Sequence, residues 1–165
     1  MADVPDIPRP SQLWKQLPPE RKAQAADAFW RDENAMAEQA EAVGTIAQRM
    51  KFRPKSVLSL PIEKKSRYLI GLPAVSELLA ARLLVAYHLE HQRPMMGSFL
   101  DAVGIAHESG LIAEENVEPP SAERLKTAAA TLSSSYPRED VTLYFSTLVW
   151  QDPDTWGALA DTLKG

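Results

Sequence analysis

Apolar residues along this chain recur at helical intervals, and no segment sustains the two-residue alternation of an exposed strand. Trp156, Leu159, Ala160 and Leu163 fall at i, i+3, i+4 and i+7, and Leu125, Ala128, Ala129 and Leu132 repeat that spacing. Each set lines one face of a helix and predicts that this face is buried. Met36, Ala40, Val43, Ala47 and Met50 alternate spacings of four and three, which predicts a narrow seam packed against another helix. The most apolar segment, from about Pro73 to His91, is apolar on most sides and is expected to be a central helix surrounded by the others. "VTLYFSTLVW" has the β-branched and aromatic content of a strand, but its continuation back to Pro137 predicts a buried helix.

Prolines punctuate these patterns. The ring fixes φ and removes an N–H that a helix's first turn leaves unpaired anyway, so Pro is suited to helix starts. Pro18/Pro19, Pro61, Pro73, Pro94, Pro120, Pro137 and Pro153 are each expected to open a helix, the last behind Asp152 as N-cap. Pro5, Pro8 and Pro10 predict an extended arm over residues 1–10. Gly104 is expected to stop the helix opened by Pro94 in a left-handed conformation, with Ile105 packing back on Leu100. Gly110 then permits a second turn before Leu111 and Ile112 re-enter the core. Pro19 to Lys51 reads as one long helix or as two broken near "RDEN". The motif Leu-Pro-x-Glu-basic-Lys occurs at Leu17–Lys22 and again at Leu60–Lys65, but it fades within a few residues, and Pro followed by Glu is a general helix-start preference.

The expected architecture is all-α: one compact domain over residues 11–165, with about seven main helices and no sheet. Its core should include Phe29, Val43, Leu79, Leu83, Ala86, Phe99, Leu100, Val103, Leu148, Trp156 and Leu159.

Composition adds exclusions. A chain of 165 residues, 45% apolar and 24% charged, has the balance of a globular domain. Pro73, Glu77 and Arg82 interrupt the longest apolar run, so no membrane span is expected. "ADVPDIPRP" lacks the basic start and apolar run of a signal peptide, which makes a cytoplasmic location the default. The absence of cysteine removes disulfides, thiolate metal sites and a thiol nucleophile together.

Charge changes the picture most. The stretch from Arg49 to Arg67 holds Arg49, Lys51, Arg53, Lys55, Lys64, Lys65 and Arg67 against one acid, Glu63. It carries +6 in a chain whose net charge is −4, so the remainder carries −10. Such a segment could pair with phosphates, with Phe52 and Tyr68 available to stack on bases. It could equally be satisfied from within, by acids folded back from the rest of the chain. The overall acidity argues against a nucleic-acid binder, since those domains are typically basic.

A second group lies on the apolar helix. His88 and His91 are three apart and so share a face, and Glu77 stands three turns before His88. The order His-Leu-Glu-His differs from the helical zinc signature, in which the histidines are four apart, and no metal or other cofactor is expected. Arg82 interrupts the apolar run, which calls for a carboxylate partner on a neighbouring element or marks a pocket for an anion. No serine sits in Gly-x-Ser-x-Gly, and the carboxylate pairs Glu114/Glu115 and Asp152/Asp154 have no second group to make them catalytic.

Three functional readings follow. The first is a non-enzymatic helical interaction or regulatory module with a protein partner or a second copy of itself. The second is an accessory protein binding nucleic acid or another anionic partner through residues 49–67. The third is a ligand-binding protein or enzyme with a pocket near Glu77, Arg82, His88 and His91.

Overall fold

A computed structural model describes residues 8–108, 110–112 and 118–163. Among them the chain is all-α apart from a two-residue hairpin: α1 (Pro10–Gln16), α2 (Pro19–Arg31), a 3₁₀ turn (Glu33–Ala35), α3 (Met36–Met50), α4 (Pro54–Leu58), α5 (Ile62–Ile70), α6 (Glu77–His91), α7 (Arg93–Val103), β1 (His107–Glu108), β2 (Leu111–Ile112), α8 (Ala122–Ser135), α9 (Arg138–Gln151), α10 (Pro153–Trp156) and α11 (Leu159–Leu163). Seven of these helices have nine residues or more. The residues group into two compact units, Pro10–Tyr87 and the chain from His88 onward.

Pro19, Pro94 and Pro153 stand in the first turns of α2, α7 and α10, and the Asp152 carboxylate accepts from Thr155 N–H at 3.3 Å as the N-cap of α10. Pro61 and Pro137 serve one step earlier, as the residues that precede the first turns of α5 and α9. Two starts differ from expectation because a serine wins. The Ser76 hydroxyl accepts from Leu79 N–H at 3.1 Å, so α6 begins at Glu77 rather than at Pro73. Ser121 caps α8 by accepting from Arg124 N–H at 3.2 Å, which leaves Pro120 outside the helix. Of the expected extended arm, residues 1–7 lie outside the described residues, and Pro10 is already the first residue of α1. Glu114 and Glu115 also lie outside them.

In the Pro10–Tyr87 unit the stretch from Pro19 to Lys51 is two helices. Asp32 breaks it: its carboxylate accepts from Asn34 N–H at 2.9 Å, and the Gln39 amide donates to the carbonyls of Phe29 (2.8 Å) and Asp32 (2.9 Å). One side chain of α3 thereby adds a second donor to two carbonyls that also accept from the backbone N–H groups of Asp32 and Ala35. The predicted seam on α3 is displaced around the helix. Met36 and Ala40 are exposed and Met50 is 39% exposed, while Ala42, Val43, Ile46 and Ala47 are buried. Alanine-rich α3 offers two stripes of similar spacing, and its neighbours choose the one that carries Ile46. Helix α5 lies on α2, where the Ser66 hydroxyl donates to Asp27 at 2.5 Å and Lys65 Nζ stands 4.8 Å from the centre of the Trp30 ring.

The unit from His88 has a core built on α7, α8, α9 and the two C-terminal turns. Phe99 sits at its centre with ring centroids 5.0 Å from Phe145, 5.7 Å from Tyr144 and 5.7 Å from Trp156. Full burial of a side chain of this size contributes about 3 kcal/mol. Leu125, Ala128, Ala129 and Leu132 are all buried, as their spacing predicts, and so are Trp156, Leu159 and Ala160. Every residue of the expected core is buried except Leu148, which is half-buried at its edge.

Helix α7 stops as expected. Gly104 has φ 74°, Ile105 N–H donates to Leu100 O at 2.9 Å, and Ile105 is buried. The hairpin that follows pairs His107 with Ile112 and Glu108 with Leu111, antiparallel. Gly110 N–H donates to His107 Nδ1 at 3.1 Å, which leaves Nε2 to carry the proton donated to Asp101 at 2.7 Å. Ile112 does not re-enter the core but stays 38% exposed, because pairing with His107 holds it in the hairpin.

The two turn glycines should respond differently to alanine. At Gly110, φ is 89° and an added Cβ would meet Met96 Cβ at 2.9 Å and Arg93 O at 3.1 Å, neither of which can swing away. At Gly104 the nearest atoms belong to the Arg124 guanidinium, the free end of a flexible side chain. Gly104→Ala should therefore cost about 1 kcal/mol, from backbone conformation alone. Gly110→Ala should cost about 3 kcal/mol, from backbone and contact together. Urea denaturation of the two variants measures the difference, and equal losses would contradict the contact argument.

Candidate anion-binding surface

The seven basic residues of Arg49–Arg67 fall on the end of α3, the loop to α4, α4 itself and α5, all within the Pro10–Tyr87 unit. Two of them are engaged. Lys65 is half-buried over the Trp30 face, a cation–π contact that helps hold α5 on α2. Arg67 lies 3.5 Å from Glu63, one turn back on the same helix and fully in solvent, a pair that contributes little. The other five, Arg49, Lys51, Arg53, Lys55 and Lys64, are exposed, and among the described residues no carboxylate or hydrogen-bond acceptor engages their side chains.

The basic residues are split in sequence by Val57, Leu58, Leu60 and Ile62, and a ring contact bridges the split. Phe52, in the loop after α3, packs edge-to-face on Tyr68 of α5, with centroids 5.8 Å apart and planes at 82°. Lys64 is one helical turn before Tyr68, so the two side chains share a face. The contact therefore sets the loop around Phe52, with Lys51 and Arg53 as its neighbours in the chain, against the side of α5 that bears Lys64.

Backbone chemistry places Phe52. Helix α3 ends with Lys51 in the left-handed conformation, φ 59° and ψ 36°, and Phe52 N–H donates to Ala47 O at 2.9 Å. This is the same stop as at Gly104, built here without glycine. Lys51 is the one non-glycine residue with positive φ among those described. A side chain in that region costs about 1 kcal/mol, and such costs gather where function needs the residue. Met50 and Phe52 are each 39% exposed and Leu58 is 59% exposed, so apolar surface is interleaved with the cations.

The second predicted group separates. Arg82 Nη2 donates to Asn34 O at 2.7 Å and stands 3.6 Å from the Asp32 carboxylate, so its partner acid comes from the turn between α2 and α3. Glu77 accepts from the Ser11 hydroxyl of α1. His88 is buried, its ring 5.6 Å from that of Tyr144, whose phenol burial pushes well above its ordinary pKa. His91 is exposed. None of these four lines either of the cavities described, one of 560 Å³ around Gly104 and Arg124 and one of 350 Å³ around Arg138 and Phe145. Among the described residues no three His, Asp or Glu side chains gather as a metal-ligand set, and no helix is long and apolar enough to cross a membrane.

The Phe52–Tyr68 contact was not legible in the sequence, since nothing local ties residues of different elements together. The left-handed lysine was equally hidden, because lysine carries no preference for that conformation. Lys51→Gly should raise stability by about 1 kcal/mol by removing the backbone cost. Lys51→Ala, which keeps the Cβ, should leave stability nearly unchanged. Thermal denaturation of both variants tests whether the backbone at Lys51 is under strain.

The chain matches no protein-family model, no curated protein and no solved structure, so its own residues are the whole basis for a functional reading.

Proposed function

We propose that this protein is a non-enzymatic helical binding module whose working surface, Arg49–Tyr68, engages an anionic partner. One observation carries the reading: Arg49, Lys51, Arg53, Lys55 and Lys64, within sixteen residues of chain, are exposed, and among the described residues no carboxylate engages them. Like charges held together repel, and only solvent and counterions offset this. An anionic partner releases those counterions and gains both affinity and a faster encounter. The exposed Met50, Phe52 and Leu58 suit the same role, since aromatic residues and methionine are enriched at recognition surfaces.

Self-association is a second reading, favoured by different residues. Among the described residues Met36 and Leu78 are the most exposed large apolar side chains, at 73% and 69%. They stand in the first turns of α3 and α6; the Ser76–Glu41 hydrogen bond ties the residue before α6 to α3, and Arg82–Asn34 ties α6 to the turn before α3. Sedimentation equilibrium of the wild type against Met36→Glu with Leu78→Glu distinguishes the cases. A dimer that the double variant abolishes supports self-association, and a wild-type monomer at all concentrations ends it.

Retention on immobilised heparin tests the leading reading. The wild type should bind at low salt and elute as salt rises. Changing Arg49, Lys51, Arg53, Lys55 and Lys64 to Ala should abolish retention, whereas Lys126→Ala with Arg138→Ala, far along the chain, should not. In solution, each removed phosphate contact should lower the slope of log affinity against log salt by about one. Absence of retention at low salt, or equal retention by all three proteins, would overturn the proposal.

A further inference from the structure

Resting on that reading, we infer that the anionic partner is single-stranded nucleic acid, held by phosphate contacts from Lys51, Arg53, Lys55 and Lys64 and by base stacking at the Phe52–Tyr68 pair. Three observations select this class among polyanions. First, the aromatic residues lie within the run of cations and not beside it: Phe52 has Lys51 and Arg53 as neighbours, and Tyr68 follows Arg67 and shares a face with Lys64. A duplex presents phosphates outside and keeps its bases stacked within, so it would use the cations and leave the rings idle. A single strand presents both, and every base has a π-face to set on a ring.

Second, the rings are held rather than free. Phe52 is fixed at its backbone by the helix stop that runs through Lys51 and at its ring by the contact with Tyr68, yet remains 39% exposed. A rigid, half-exposed ring suits stacking, because little side-chain freedom is lost when a base arrives. A bilayer anchor makes the opposite demand. It must project apolar side chains about 5–10 Å into the headgroup boundary, and a ring packed on Tyr68 cannot do so without breaking that contact.

Third, the elements are short. The cations come from a helix end, a loop, the five residues of α4 and the nine of α5, with Lys65 turned to Trp30. A strand that bends from contact to contact can follow such a path, whereas the straight backbone of a duplex cannot. An acidic polypeptide could also follow it, but its carboxylates would have no use for the two rings. Stacking and phosphate pairing together predict binding that tolerates sequence and weakens with salt.

The test is fluorescence anisotropy of the full chain with labelled oligothymidine, a duplex of the same length and polyglutamate, with flotation on phosphatidylserine vesicles as a fourth arm. Wild type should bind oligothymidine at least tenfold more tightly than the duplex or polyglutamate and should not float with vesicles. Phe52→Leu should weaken oligothymidine binding about tenfold, the loss expected for one stacked base, while retention on heparin stays as it was. Phe52→Trp should preserve or strengthen strand binding, and its circular dichroism should match that of the wild type. Equal affinity for strand and duplex, or an unchanged affinity in Phe52→Leu, would overturn the inference while heparin retention keeps the anionic surface. Co-flotation with vesicles and no strand binding would reassign the surface to lipid. Loss of heparin retention in the wild type would remove the underlying reading itself.

Discussion

At the end of α3 the backbone turns left-handed on Lys51, and the arrangement of the basic surface depends on that turn. The turn sends Phe52 back over α3 through its hydrogen bond to Ala47, and Phe52 then meets Tyr68. Had the helix frayed there, Phe52 would not be held against Tyr68. Glycine is the residue chemistry prefers at such a stop, and the same unit of geometry at the end of α7 uses it. A lysine in its place exchanges some stability for a cation at the centre of the basic run.

Helix α5 is the second support. It is fastened to α2 by a buried serine hydroxyl donating to Asp27 and by Lys65 lying on Trp30. Both contacts use one side of the helix, which leaves Lys64 and Arg67 on sides that face solvent. The division between structural and available cations on α5 follows from helical geometry, since adjacent residues point about 100° apart. Charge that looks uniform in sequence is thus sorted by the packing of one short helix.

The same sorting happened to Arg82, whose interruption of an apolar helix calls for a carboxylate partner or marks a pocket. Its guanidinium reaches the carbonyl of Asn34 and lies 3.6 Å from the carboxylate of Asp32, both in the turn that breaks the long stretch after Pro19. That turn is capped by Asp32 itself and by Gln39. Polar groups at a helix end need partners; Gln39 adds a second donor to carbonyls the backbone already engages, and Arg82 finds its acceptor, Asn34 O, on the same turn.

Helix starts and stops were readable from the chain wherever one residue's own chemistry decides them. Pro19, Pro94 and Pro153 restrict their own φ, Gly104 tolerates a positive one, and Asp152 reaches a donor three residues on. Such effects act within one turn, so neighbours in sequence suffice. The all-α class and the buried stripes of α8 and the C-terminal turns followed from periodicity for the same reason. Where two local signals compete, as Pro73 and Ser76 do before α6, the choice depended on where the hydroxyl could reach. Only the tertiary structure decided which stripe of α3 is buried, which acid meets Arg82, that Lys65 belongs to Trp30, and that Phe52 belongs to Tyr68. These are contacts between elements, and their free energy depends on distances that residue order does not encode. A charge in a sequence has a sign but no direction, and direction comes only with packing.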